Sequence, residues 1–238
     1  MKGPEELLTD NPAKDVLRLR LNRPERLNAV NVPLASAMIK AFDGVEAGAV
    51  VLCSSTPRAF CAGADLDLED EERARVSDLL YELYEMMVRL PVPILVALDG
   101  YAVGAGIQLA IAADLRIAGR GTKLRAAGPG HGLAVASWGL PSLVGRGRAL
   151  DLCLTMRPVG AEEAKAMGLV DRVEENPEEA AVGLASDFAG LDREAAGRVK
   201  RVVTEASGYL GALREERSGN RASWTGSVSA LSRGEGVG

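Results

Sequence analysis

The fold of this protein is decided by the stretch VPILVALDGYAVGAGIQLAIAADLRIA, residues 92–118. It begins with a short apolar run, residues 92–100, whose length and composition predict a buried strand. A loop of glycine and alanine follows, and residues 106–113 are then almost all apolar, which is typical of a buried helix. Residues 114–119 predict a further strand. Strands that alternate with helices in this way indicate an α/β core.

A second loop of small residues follows another predicted strand earlier in the chain. Residues 49–55, AVVLCSS, form this strand, and RAFCAGADL, residues 58–66, contains the loop. Small side chains leave backbone N–H groups uncovered, and the loop before residue 106 also begins a helix, whose first N–H groups lack intrahelical partners. Two such donors that meet at one point would form an oxyanion hole for a polarised carbonyl. For either loop taken alone, close packing of a strand against a helix is the alternative.

The rest of the chain divides into an α/β part and a helical part. The alternating sequence of residues 16–21 predicts a strand, and residues 33–42 have helical spacing. The acidic run DLDLEDEERARVSD leads into a further helix, and the chain is largely helical from residue 161 onward. We therefore predict a core over residues 1–187 and a helical C-terminal region, residues 188–238, that mediates oligomerisation.

The composition argues against several classes of protein. The 238 residues carry a net charge of −5 and no long basic stripe, which argues against nucleic-acid binding. The three cysteines lack metal-binding spacing, and the acidic run lacks the glycine turn of an EF-hand loop, so no bound metal is expected. No segment predicts a signal peptide or reaches the ~18–20 apolar residues of a membrane span. We predict a cytoplasmic protein with reduced cysteines.

The sequence GAGIQLA invites comparison with the fingerprint of dinucleotide-binding folds. Gly104 and Gly106 supply the first two glycines, but Leu109 stands where that fingerprint requires a small residue. No acidic residue follows at a strand end with the spacing expected for a contact to ribose. We therefore reject a Rossmann-type dinucleotide site.

Five segments, taken in their order along the chain, resemble one known family. They lie within about residues 16–175 and read LNRPERLNAV, AFCAGADL, VPILVALDGYAVGAGIQLAIAADLRIA, SWGLPSLVGRGRAL and AEEAKAMGLVDRV. Together they resemble the enoyl-CoA hydratase/isomerase family, also called the crotonase superfamily. The resemblance implies a spiral of repeated ββα units, with a helical C-terminal region that builds homotrimers, often paired into hexamers.

The resemblance also implies a substrate and a set of site residues. Members of the family bind acyl-CoA thioesters, so coenzyme A enters as part of the substrate and no separate cofactor is expected. The two backbone donors of the family's oxyanion hole fall on Ala64 and Ala105. The expected contacts to the substrate are Arg26, Leu27, Ala29, Ala62, Asp65, Leu66, Gly104 and Gly128. For Arg26 the alternative is a solvated surface charge, and for Asp65 it is a cap on the following helix.

The two glutamates with which a hydratase of this family activates water are replaced in this chain. Their positions carry Gln108 and, counted without gaps, Gly128. A glutamine amide can orient a water molecule or bond to the thioester, but it cannot act as a general base. His131 lies in the same loop as Gly128 and could transfer a proton near neutral pH; an exposed histidine without a role is the alternative. Cys61 is a candidate nucleophile with no evident paired base.

Two functions are compatible with this pattern. The first is an enzyme of the hydratase/isomerase type, a lyase or isomerase of fatty acid metabolism, in which the proton-transfer group is altered. The second is a protein that binds acyl-CoA and carries or presents it without catalysis. Because each acid or base typically contributes about 10²–10⁴-fold to the rate, ordinary hydration of enoyl-CoA is not expected.

Overall fold

The computed structural model describes residues 5–223, which contain ten β-strands and nine α-helices. The strands are β1 (Leu7–Ala13), β2 (Val16–Leu21), β3 (Ala49–Ser54), β4 (Ala59–Cys61), β5 (Ile94–Leu98), β6 (Tyr101–Val103), β7 (Leu115–Gly119), β8 (Lys123–Arg125), β9 (Val159–Gly160) and β10 (Arg172–Glu174). The helices are α1 (Val32–Asp43), α2 (Asp70–Arg89), α3 (Ala105–Ala112), α4 (Leu140–Val144), α5 (Arg146–Thr155), α6 (Ala161–Met167), α7 (Pro177–Ala189), α8 (Arg193–Ser207) and α9 (Tyr209–Ser223).

The strands form two sheets that the chain visits in turn. The larger sheet has the order β1-β2-β3-β5-β7-β10, and the smaller sheet has the order β4-β6-β8-β9. Three successive strand pairs, β3–β4, β5–β6 and β7–β8, each place one strand in each sheet before the chain enters helical structure. This arrangement confirms the predicted α/β fold of repeated ββα units followed by C-terminal helices.

The central strands of the larger sheet are apolar on both faces, and β3 shows why. Val50 and Leu52 face the main core, which also contains buried residues of α1, α2 and α3. Val51 and Cys53 face a smaller core against α7. From β2 through β3, β5 and β7 to β10 the strands run parallel, and parallel strands covered on both faces have continuous apolar sequences. The short apolar runs of the sequence are therefore the signature of this sheet.

The sequence pattern does not predict β1, which pairs antiparallel with β2 at the edge of the larger sheet. Only Leu7 of this strand is buried, so no alternating apolar pattern marks it. Charged side chains hold it instead, because Arg18 of β2 bonds to Asp10 of β1 at 2.8 Å and to Glu178 of α7 at 2.7 Å. Because β1 pairs through a salt bridge to the neighbouring strand and buries only one side chain, its own residues show no strand pattern.

Helix α2 starts earlier than the sequence pattern predicts. The acidic run does not merely precede the helix, since Asp70, Glu71 and Glu72 form its first turn. Negative charges are favourable there because they complement the unpaired N–H groups and the helix dipole. Further along, α2 buries a face that includes Leu80 and Tyr84 and packs against α1 and α3.

Helix α3 lies at the centre of the fold, and all of its residues are buried. Its C-terminal carbonyls find a partner in Arg116, whose guanidinium donates to the carbonyl of Ala113 at 3.0 Å and pairs with Asp171 at 2.7 Å. A cation at this end complements the helix dipole. Arg116 therefore fixes the C-terminal end of α3, while the helix also contacts β4 and β6 of the smaller sheet.

The three C-terminal helices pack on different parts of the core. α7 covers the second face of the larger sheet, and α9 packs along α2. α8 is attached by Lys200, whose ammonium group pairs with Asp114 at 2.8 Å and donates to the carbonyls of Met87 and Val92. None of the helices between residues 5 and 223 is long and apolar enough to cross a membrane.

The predicted division of the chain at residues 187 and 188 falls within α7. A helical region that serves oligomerisation stays a prediction. Residues 1–4 and 224–238, which that division includes, lie outside the described residues.

Candidate functional site

A cavity of about 290 Å³ opens where the smaller sheet meets α2, α3 and α9. Its walls come from the loop after β4, the loop after β6, the segment that follows β8, and the three helices. Apolar side chains supply most of the wall, and a few polar groups converge on it. This combination is typical of sites for small molecules.

The loop after β4 brings Ala62, Gly63 and Ala64 to the cavity. Ala64 forms an isolated parallel bridge with Val30. The bridge bonds run from the Val30 N–H to the Gly63 carbonyl at 2.7 Å and from the Asp65 N–H to the Val30 carbonyl at 2.9 Å. The N–H of the middle residue takes no part in such a bridge. Among the backbone bonds of residues 5–223, the N–H of Ala64 has no acceptor and is available to a ligand.

The loop after β6 brings a second free donor beside the first. Ala105 is the first residue of α3, so its N–H has no partner within the helix. Gly104 turns the chain into α3 with φ of 55° and ψ of −112°, a conformation that requires glycine. A Cβ atom placed on Gly63 would lie 3.9 Å from the Ala105 nitrogen. The two loops therefore lie side by side at the same cavity.

Gln108 lies one turn further along α3 and is buried at the cavity wall. Its Oε1 atom accepts hydrogen bonds from the indole N–H of Trp138 at 2.9 Å and from the backbone N–H of Ala136 at 3.2 Å. Because these contacts fix its orientation, the amide is a rigid polar part of the wall. It offers no group that takes a proton near neutral pH.

A buried carboxylate on α9 supports this wall from behind. Glu216 accepts a hydrogen bond from the Tyr81 hydroxyl at 2.8 Å, and its other oxygen accepts from the Ser137 hydroxyl and the Trp138 N–H. Asn220 donates to the Tyr81 hydroxyl at 2.6 Å. Burial raises the pKa of Glu216. Tyr81 and Asn220 line the cavity and Glu216 does not, so the carboxylate positions the wall.

His131 ends a 3-10 turn and lines the cavity together with Arg73 of α2 and Arg125 of β8. Its Nδ1 atom is buried and has no hydrogen-bond partner within the described part of the chain. Burial, and then the positive charges of Arg73 and Arg125, lower the pKa of His131 from its ordinary value of 6.5. The imidazole is therefore neutral at pH 7 and can accept a hydrogen bond or a proton from a ligand.

The structure brings most of the sequence-predicted residues to this one cavity. Those that line it are Ala62, Ala64, Leu66, Gly104, Ala105, Gln108 and His131. The predicted residues that lie away from its wall are Arg26, Leu27, Ala29, Asp65 and Gly128. The role of each as a substrate contact stays a prediction.

Asp65 and Arg26 are both held by ion pairs within the protein. Asp65 is buried, and its carboxylate pairs with the guanidinium of Arg23 at 3.1 Å. The alternative of a helix cap is wrong for Asp65, because α2 begins only at Asp70. Arg26 is half exposed and pairs with Asp67 at 2.5 Å.

Gly128 is enclosed by its own loop. A Cβ atom at this position would lie 2.6 Å from the carbonyl oxygen of Leu133 and 2.8 Å from the Cβ atom of Val135. The position therefore has no room for a side chain, and a glutamate cannot be accommodated there without movement of residues 133–135.

Cys61 is a buried structural thiol. Its sulfur lies 3.5 Å from the N–H of Gly63, and burial raises the pKa of the thiol to about 12. Only the thiolate is a useful nucleophile, so this environment opposes a nucleophilic role.

Sequence reasoning missed the cavity residues Arg73, Tyr81, Tyr84, Arg125 and Asn220. One face of α2 contained a signal, because positions 73, 77, 80 and 84 follow the helical spacing of i, i+4, i+7 and i+11. Arg73 interrupts this otherwise uncharged stripe. Asn220 had no such signal, since it reaches the cavity only through the packing of α9 on α2.

The fold and this site define a class: spiral α/β proteins whose two sheets place backbone amides from neighbouring loops at one cavity. The family model described as enoyl-CoA hydratase/isomerase matches residues 12–225. The chain belongs to the enoyl-CoA hydratase/isomerase family.

Curated relatives and solved structures agree with this membership. The chain is 34% identical over 219 residues to the probable enoyl-CoA hydratase EchA12 of Mycobacterium tuberculosis, which covers 83% of this chain and 76% of that protein. It is 38% identical over 200 residues to the probable enoyl-CoA hydratase echA6 of Mycobacterium bovis, covering 81% and 80%. The crystal structure of an enoyl-CoA hydratase from Bacillus anthracis matches with a TM-score of 0.80 at 27% identity, over 90% of each chain.

Proposed function

We propose that this protein binds an acyl-CoA thioester in the cavity and polarises its carbonyl with the N–H groups of Ala64 and Ala105. The proposal is carried by the juxtaposition of the two loops, each of which offers an unpaired backbone donor to the same space. Donors that are fixed before the ligand arrives stabilise the negative charge that develops on a polarised oxygen. Family membership supports the same class of ligand.

We also propose that ordinary hydration of enoyl-CoA is slow or absent. Activation of water requires a general base, and the family's two glutamate positions carry Gln108 and Gly128. Within residues 5–223, no aspartate or glutamate lines the cavity. His131 is the wall residue best suited to proton transfer near neutral pH, and any proton transfer in this cavity is assigned to it.

The wall of the cavity also favours a second candidate function, the binding and presentation of acyl-CoA without turnover. Gln108 is locked by Trp138 and Ala136, and Glu216 is engaged by three donors behind Tyr81. Binding of acyl-CoA together with an absence of turnover would select this second function. Turnover that is lost in His131→Gln would select the enzyme.

The carbonyl stretching frequency of a bound thioester tests the proposed donors directly. Butyryl-CoA labelled with ¹³C at the carbonyl is expected to bind, and its carbonyl band is expected to shift to lower frequency because the two N–H donors weaken the C=O bond. The measurement is difference infrared spectroscopy, combined with calorimetric titration for affinity.

The variant Ala105→Pro removes one donor at the first position of α3, where proline is compatible with a helix. We expect this variant to lose much of the shift. The matched control is Ala161→Pro, which makes the same change at the first position of α6. A bound carbonyl whose frequency is unshifted in the wild type would refute the role of the two amides.

A further inference from the structure

We propose that the acyl group of the substrate carries a carboxylate and that Arg73 binds it. The inference rests on the proposed function, because it names the kind of acyl-CoA that the cavity takes.

Arg73 is an arginine buried in the wall of a largely apolar cavity. Its side chain is 7% exposed, and it lies on the face of α2 that also contributes Ser77 and Leu80 to the wall. Asp70, one turn earlier, approaches the guanidinium at 3.6 Å and is 35% exposed. Contact with one partly exposed carboxylate at 3.6 Å compensates a buried charge poorly. An anion inside the cavity would complete the pairing in a geometry that guanidinium groups favour.

The charge on the other arginine of the cavity wall is also positive. Arg125 lies in the same wall, and the positive charges of Arg73 and Arg125 both act on His131. No aspartate or glutamate from the described part of the chain opposes them within the cavity. The Nδ1 atom of His131, which has no hydrogen-bond partner within residues 5–223, lies in the same region, and a neutral imidazole can donate one hydrogen bond to a bound oxygen. The cavity is therefore built for a ligand with a negative charge.

The volume of the cavity limits which part of the ligand can carry the negative charge. A cavity of about 290 Å³ is at the low end of small-molecule pockets, which hold roughly 300–1,000 Å³. It has space for an acyl group and not for the whole of coenzyme A. The anion that reaches Arg73 is therefore assigned to the acyl group, and the phosphates of coenzyme A are the alternative source that the experiment must separate.

Glutaryl-CoA and valeryl-CoA provide the test, because their acyl chains have the same number of carbons and differ in the terminal carboxylate. Calorimetric titration of the wild-type protein at pH 7 is expected to show tighter binding of glutaryl-CoA. In Arg73→Met the affinity for glutaryl-CoA is expected to fall about 10- to 100-fold, the worth of a hydrogen-bonded charge, while valeryl-CoA binding changes little. Arg75→Met is the matched control, since Arg75 is an exposed residue of the same helix.

Each other outcome overturns the inference in a recognisable way. If the wild type binds the two thioesters equally, the carboxylate is not recognised, and the proposed thioester site still stands. If Arg73→Met weakens free coenzyme A and both thioesters by the same factor, the arginine contacts a phosphate. If the wild type binds no thioester at all, the proposed function fails as well. The wild-type comparison decides the matter even if the variant does not fold.

Discussion

Single residues determine how much of the family's chemistry this cavity can support. Gln108 keeps its amide oxygen occupied by two N–H donors, and Gly128 has no space for a side chain. The two glutamates that the family resemblance predicts for these positions therefore could not be introduced there without rearrangement of the wall. Among the wall residues within 5–223, His131 is the one closest to a general base, because its Nδ1 atom has no partner within this range and its pKa is lowered.

Gly128→Ala tests whether the loop around Gly128 is closed as described. The added Cβ atom would overlap the carbonyl oxygen of Leu133, so we expect the variant to lose about 1–3 kcal/mol of unfolding free energy. The measurement is urea-induced unfolding followed by circular dichroism. Gly121→Ala is the control, because a Cβ atom there meets nothing within 4 Å. Equal stability of the two variants would contradict the described loop.

The sequence predicts the backbone donors of the site better than the side chains that line it, and the difference has a physical reason. The two donor loops could be predicted because a strand end and a helix start determine where backbone donors lie, and the family resemblance then assigned the donors to Ala64 and Ala105. Asn220 could not, because its place in the wall depends on how α9 packs on α2. Arg73 lies on a face of α2 that helical spacing marks, but the tertiary fold determines that this face lines the cavity. The positions of main-chain donors can be predicted from local structure. Contacts made by side chains of distant helices can be predicted only when the tertiary fold is known.

Among the elements, α9 has the most direct link to the site. It packs along α2 and supplies both Asn220 to the cavity and Glu216 to the hydroxyl of Tyr81. The carboxylate of Glu216 accepts three hydrogen bonds from donors on α2 and on the segment before α4. α9 therefore determines how the far wall of the cavity is held.

Glu216→Gln is expected to lower the free energy of unfolding by about 1–3 kcal/mol. The side-chain NH2 group of the glutamine would face a donor whose hydrogen bond the carboxylate now accepts, so that donor would lose its acceptor. Unfolding in urea measures the loss, and the exposed neighbour Glu215→Gln provides the control.

Burial raises the pKa of Glu216, so the folded state holds the proton more tightly than the unfolded state. The stability of the wild type relative to the variant should thus decline as pH rises from about 4.5 through the folded pKa. A difference that grows with pH would contradict this assignment.

For the whole molecule, the predicted spiral is confirmed, and its main omissions are short or charged strands. β3, β5 and β7 were predicted from buried apolar runs, since parallel strands covered on both faces need them. β6, β8 and β9 have three residues or fewer, too short for a periodic pattern to be recognised. The smaller sheet forms because successive ββα units each add one strand to the strand of the preceding unit. No single segment of the sequence therefore predicts this sheet.

The outer face of α8 bears on the predicted assembly into trimers or hexamers. Val199, Val202 and Val203 are 61–64% exposed there, and clustered apolar side chains of this kind mark interaction surfaces. We expect light scattering to report an oligomer for the wild type and a smaller mass for Val203→Glu. Leu8→Glu, which also places a glutamate at an exposed apolar residue, is expected to leave the mass unaltered. A monomeric wild type would refute the prediction.

The two free donors at Ala64 and Ala105 belong to the main chain, and this has a consequence for how such a protein can change over generations. Most point mutations replace a side chain and leave the amide behind it intact. If the two amides bind the ligand as proposed, a lineage built on this scaffold can lose its acids and bases one by one and still bind that ligand. Loss of an ancestral reaction and gain of a new one need not pass through a form that binds nothing.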